Sequence, residues 1–186
     1  MSNFAAAVVR GPSKKWSAAE IDLSGVADID DVADRLRDVD PEAEVSVLFV
    51  ESDDTYLVIL RLDDGEDLRV FGSDSTYADE SRLGALLIGE IEEPALEIDE
   101  VVVEAEADEP DDDDPDDVDD DEEVALPAVP PDAEPVGDAD LLSDLGVPGH
   151  HLLELCAQDG MMPADITAEV CLIMGCADEI EELREV

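Results

Sequence analysis

The residues whose types could do chemistry in this chain are three cysteines, Cys156, Cys171 and Cys176, and the adjacent pair His150-His151. Their number would suffice for a tetrahedral zinc site. The spacing argues against one, because gaps of 14 and 4 residues between the cysteines lack the close pairs of common structural zinc sites. No metal is expected. Cys156 and Cys171 read instead as small apolar core residues, on helices expected at 152–157 and 166–174. A thiol nucleophile is a poor fit, since surrounding negative charge raises a thiol pKa and suppresses the thiolate. His150-His151 follows Pro148-Gly149 in a first helical turn and reads as solvent-facing or packed locally, not as a ligand pair.

The remaining chemistry-bearing residues assign nothing. Fifty-five carboxylates guarantee close pairs by chance, so no acid/base couple can be singled out. The acidic run from Asp111 to Asp121 lacks the central glycine and terminal spacing of an EF-hand loop. No phosphate-cradling glycine loop and no nucleophile elbow occurs. We expect no catalytic residue, no cofactor and no enzymatic activity. Trp16, Tyr56 and Phe71 could make an aromatic recognition face, but in a sheet protein such residues more often fill the core.

Composition bounds what must position these residues. The 186 residues carry 55 acids against 9 bases, a formal net charge of −46, which argues against nucleic-acid binding through phosphates. Apolar residues make up 45% and aromatics 3%, so a core exists and must be aliphatic. No run is long enough for a spanning helix, and Met1-Ser2-Asn3-Phe4 lacks the basic start of a signal peptide, which points to the cytosol. An odd number of cysteines, confined to the last 31 residues, suits no secreted disulfide scaffold.

Charge divides the chain. Residues 1–89 hold 20 acids and 8 bases, 90–123 hold 21 acids and no base, and 124–186 hold 14 acids and one base. The expected organisation is an α+β domain over 1–90, an acidic Pro/Asp-rich disordered linker over 91–136, and a helical C-terminal domain over 137–186. Within the linker, the apolar patch 96–103 could add a strand or dock on a partner.

In the first domain, Phe4 to Arg10 and Trp16 to Leu23 flank a Gly11-Pro12-Ser13 turn and read as a hairpin. Asp28 is a suitable N-cap for a helix with Ile29, Val32, Ala33, Leu36 and Val39 at helical spacing, ended by Pro41. Three β-rich runs follow, Glu44 to Glu51, Tyr56 to Leu62 and Leu68 to Phe71, then a short helix from Arg82 to Gly89. The order ββαβββα implies a small antiparallel sheet with helices on one face. After the linker, Gly146, Gly160 and Gly175 stop short helices at intervals of 14 or 15 residues, and Pro148 and Pro163 suit first helical turns. The result is a short helical bundle. Its small size makes it marginal alone, so it should gain from docking on the first domain or on a partner.

The chain resembles the tRNA adenosine deaminase-associated proteins of actinobacteria. The resemblance rests on Phe4-Ala5-Ala6-Ala7-Val8-Val9-Arg10, Leu48-Phe49-Val50-Glu51, Tyr56-Leu57-Val58 and Arg69-Val70-Phe71-Gly72-Ser73-Asp74. The C-terminal side adds Val136 to Leu142, Asp144-Leu145-Gly146, Leu152 to Cys156, Met162 to Asp165 and Asp178-Glu179-Ile180. The resemblance implies a partner more than a reaction, and it carries over no catalytic residue. A nucleobase deaminase needs H-x-E and P-C-x-x-C for its zinc and proton shuttle, and neither motif is present.

The expected function is therefore a non-catalytic accessory protein that binds a protein partner, the tRNA adenosine deaminase. An alternative is an acidic decoy, in which 108–123 displaces tRNA from a basic surface electrostatically. An enzyme with an unrecognised site is third. The expected contact surface is the C-terminal helical part, through Leu152, Leu155, Ile166 and Ile173.

Overall fold

The structure, a computed structural model, describes residues 3–52, 54–91, 134–158 and 160–185. The acidic stretch read as a linker, with the patch 96–103, falls largely at 92–133, outside the described residues. The architecture is α+β, built on a six-stranded antiparallel sheet. Strands β1 (Asn3–Arg10) and β2 (Trp16–Glu20) form the expected hairpin. Helix α1 (Ile29–Val39) follows. The meander then runs through β3 (Val45–Ser52), β4 (Tyr56–Asp63) and β5 (Asp67–Gly72). The spatial order is β2-β1-β3-β4-β5-β6, with β6 (Val136–Gly137) returning from beyond 92–133 to pair with Gly72 and Phe71.

Local chemistry explains the element ends. Asp28 caps α1 by accepting a hydrogen bond from Asp31 N–H at 2.9 Å, and Asp31 accepts in return from Ala27 N–H at 2.9 Å. The β4–β5 turn places Asp64 and Gly65 at positive φ, the backbone a tight hairpin requires. Two short helices, α2 (Tyr77–Glu80) and α3 (Arg82–Ile88), follow β5. The sequence reading contains neither α2 nor β6.

Each sheet face covers a separate core. Ala5, Ala7, Leu48, Val50, Val58, Leu60 and Leu62 pack with Val32 and Leu36 of α1 and Leu87 and Ile88 of α3. On the opposite face, Ala6, Val8, Val47, Phe49, Leu57, Ile59 and Phe71 pack with the C-terminal segment. That segment is a 3₁₀ helix (Ala139–Leu145) followed by α4 (Gly149–Ala157), α5 (Pro163–Met174) and α6 (Ala177–Arg184). The C-terminal helices therefore share a core with the sheet, giving three layers with the sheet in the middle. Alternation explains it, because successive side chains of a strand point to opposite faces, and consecutive apolar residues leave two faces to cover.

A polar pin fastens the third layer. Arg61, on the face toward the C-terminal helices, is buried. Its guanidinium donates to Leu141 O at 2.6 Å, to Asp144 Oδ2 at 2.8 Å and to Asp63 Oδ1 at 2.8 and 3.0 Å. Arg69 extends the network, with Asp63 at 2.8 Å and Asp138 at 3.7 Å. Trp16 adds a second link, its indole N–H donating to Met174 O at 3.1 Å. Among the described residues, no helix is long and apolar enough to cross a membrane.

Candidate functional site

Helix α5 is the element that carries apolar side chains on two sides. Pro163 opens it with φ preset and no N–H to leave unpaired, and Asp165 accepts a hydrogen bond from Met162 N–H at 3.2 Å. Gly175, with φ of 81°, closes it by donating to Cys171 O at 2.9 Å. Ile166, Thr167, Val170, Cys171 and Met174 face inward and are buried. Leu172 is 64% exposed, Ile173 37%, and Met162 at the N-terminal cap 46%, and these are the exposed large hydrophobics among the described residues.

Beside Leu172 lies a groove of about 670 Å³ between α5 and α6. Its apolar lining comes from Met161, Ala168, Leu172 and Ala177, and its rim carries Asp165, Glu169, Glu181 and Glu185. Among the described residues Arg184 is the one base lining the groove, and its charge is engaged elsewhere. Its guanidinium donates to Glu51 Oε1 at 2.5 Å, to Ala164 O at 3.3 Å, and lies 5.2 Å from the Phe4 ring centroid. Burial raises the Glu51 carboxyl above its usual range, while Thr167 and Arg184 pull it back down. The groove therefore combines an apolar floor with an acidic rim. A second groove, about 720 Å³, lies between the loop after β2 and α3, with Glu20, Asp22, Glu80 and Arg82 on its walls.

The four expected contact residues separate. Leu152, Leu155 and Ile166 are buried in the core shared with the sheet, whereas Ile173 is exposed on α5. Leu172, Met161 and Met162 are absent from the sequence-based set. Helical spacing carries a signal for them: α5 already supplies inward residues at 166, 170, 171 and 174, so Leu172 must point elsewhere.

The cysteines and histidines are placed as packing and surface residues. Cys171 and Cys176 are buried and Cys156 half-buried, all free thiols. Burial pushes Cys156 up to about 12. The Cys171 thiol is raised by its hydrogen bond with Cys176 and by burial. His150 is exposed, and His151 Nδ1 lies 3.7 Å from Glu154. Among the described residues, no group of three or more His, Cys, Asp or Glu could hold a metal ion. The aromatics do not share one face: Phe71 and Trp16 pack toward the C-terminal helices, and Tyr56 stacks on Tyr77 at 4.7 Å on the other side.

No curated protein and no solved structure matches this chain. A family model matches residues 3–177, which takes in all six strands, the 3₁₀ helix, α4 and α5, and ends at the first residue of α6. The chain thus belongs to the family described as Rv3753c-like tRNA adenosine deaminase-associated protein.

Proposed function

We propose that this protein is a non-catalytic accessory protein that docks on a tRNA adenosine deaminase through the outer face of α5 and the adjoining groove. The observation that carries the reading is the exposure of Leu172 and Ile173 on α5 and of Met162 at its N-terminal cap, while among the described residues the other large apolar side chains are buried or half-buried. Exposed apolar side chains beside a groove favour protein contact. The family description supplies the class of partner. Charge supports it from another direction: an enzyme that binds tRNA carries basic surface, and Asp165, Glu169, Glu181 and Glu185 around the groove complement such a surface and repel RNA.

The test is titration calorimetry of the full-length protein against purified tRNA adenosine deaminase at low and high salt, with tRNA alone as a separate titrant. Binding to the enzyme, weakened about tenfold or more by Leu172→Asp or Ile173→Asp, is the expected result. Absence of binding by the unsubstituted chain refutes the proposal, as does tight binding to tRNA alone. Binding that ignores both substitutions and disappears at high salt would favour the electrostatic decoy instead.

A further inference from the structure

One border of the sheet is β2, and the phase of its pairing shows which backbone groups face away. Ile21 N–H donates to Ala5 O at 2.9 Å, and Ala19 lies opposite Ala7 and Ser17 opposite Val9. In an antiparallel ladder, hydrogen-bonded pairs alternate with non-bonded pairs, so Ser17, Ala19 and Ile21 direct their N–H and C=O groups to β1. Trp16, Ala18 and Glu20 direct theirs outward. Among the described residues, no backbone hydrogen bond meets those three on the outer side.

We propose that β2 is the interface of a homodimer, in which two copies of β2 pair antiparallel about a two-fold axis at Ala18 and join the two sheets. The phase is self-complementary. With the axis at that residue, Ala18 meets the partner's Ala18, and Trp16 meets the partner's Glu20. Each is an outward-facing residue opposed to another, and each pair exchanges both of its backbone hydrogen bonds. The centre of the edge also lacks what usually blocks such pairing, because Trp16-Ser17-Ala18-Ala19 holds no proline, glycine or charge.

Charge selects a second copy and sets the direction. Lys14 and Lys15 lie exposed at one end of the strand, and Glu20 and Asp22 lie exposed at the other. Antiparallel pairing brings the basic end of one protomer to the acidic end of its partner, and does so twice by symmetry. Parallel pairing would set lysines on lysines. This interface is separate from the α5 face, so it stands or falls independently of the proposed partner.

Sedimentation equilibrium of the full chain across a concentration series tests the proposal, read together with hydrogen exchange at β2. The expected mass rises toward twice the 20.0 kDa chain mass, with exchange at the Trp16, Ala18 and Glu20 amides slowing in step. Ala18→Pro should hold the chain at monomer mass with its fold intact, because proline is tolerated where an edge-strand N–H faces outward. Lys15→Glu should weaken dimerisation about tenfold, and Lys15→Glu with Glu20→Lys should restore it. The proposal is overturned by monomer mass up to about 0.1 mM chain, by rapid exchange of the three amides at every concentration, or by a folded Ala18→Pro dimer. Should Ala18→Pro fail to fold, the charge-swap pair and the exchange data decide.

Discussion

Arg61 shows how much of this fold depends on single polar contacts. Its guanidinium is buried and holds acceptors from three residues, whereas the Asp144 side chain remains 59% exposed. The two ends of the pair should therefore differ. Arg61→Ala removes the buried donor to Leu141 O and the cation shared by Asp63 and Asp144, at a cost of about 3 kcal/mol, while removing Asp144 costs less because water replaces the lost contact. Equal melting temperatures for Arg61→Ala and Asp144→Ala would overturn this asymmetry, and values equal to that of the unsubstituted chain would show that the pin is dispensable. The hydrogen bond from Arg61 lowers the Asp144 carboxyl below its ordinary value of 3.8. A lowered carboxyl contributes stability above its unfolded value and loses it as pH falls through the folded value. The melting-temperature gap between the unsubstituted chain and Asp144→Asn should accordingly narrow below about pH 3.8. The thiols give a second residue-scale prediction. With Cys156 pushed up to about 12 and Cys171 raised further by Cys176 and burial, native protein at pH 8 should react with a thiol reagent far more slowly than unfolded protein. At Cys156 the thiolate fraction is lower on the order of a thousandfold. Rapid native labelling of all three cysteines would contradict their placement.

At the scale of elements, glycines test two different constraints. Gly175 has φ of 81° with open space where a Cβ would sit, so Gly175→Ala should cost about 1 kcal/mol of left-handed strain and no more. Gly84 in α3 is the opposite case: a Cβ there would lie 2.0 Å from Tyr77 O, a backbone atom that cannot step aside. Gly84→Ala should cost about 3 kcal/mol by parting α2 from α3. Denaturant melts of the two variants check the ranking. These elements were largely legible in the sequence, because caps, turns and stops are local. Asp28 capping α1, Asp64-Gly65 turning the meander and Gly146, Gly160 and Gly175 in left-handed conformation follow from residue types. Strand β6 was not legible. Gly137 lies so close to β5 that a Cβ would be 2.2 Å from Val70 O, a long-range approach that nothing near Val136 encodes. The site was legible only in part for the same reason. Helical spacing tells which of Leu152, Leu155, Ile166 and Ile173 share a face, but not whether that face meets a sheet or water. A signal did exist in the strands. Val47-Leu48-Phe49-Val50 and Leu57-Val58-Ile59-Leu60 are apolar without alternation, so their sheet needed a second cover, and the C-terminal helices were the available one.

For the molecule as a whole, the described chain divides into an N-terminal portion ending at Ile91 and a C-terminal portion starting at Glu134, and neither alone completes the core on the face of the sheet toward the C-terminal helices. Phe49, Ile59 and Phe71 from the first are covered by Leu141, Leu152 and Val170 from the second. Ser75 N–H donates to Glu134 O at 2.9 Å, and Asp138 N–H to Val70 O at 2.9 Å, which stitches the two along β5. The covalent connection through 92–133 therefore acts as a tether that raises the effective concentration of one portion around the other. The protein is in this sense a ready-made split reporter. A specific protease site introduced within 104–131 and cut after folding should leave two fragments that co-elute in buffer and part only in denaturant. Expressed separately, the two fragments should complement each other on mixing, and the cut pair should unfold at lower denaturant as it is diluted, while the midpoint of the intact monomeric chain stays independent of concentration.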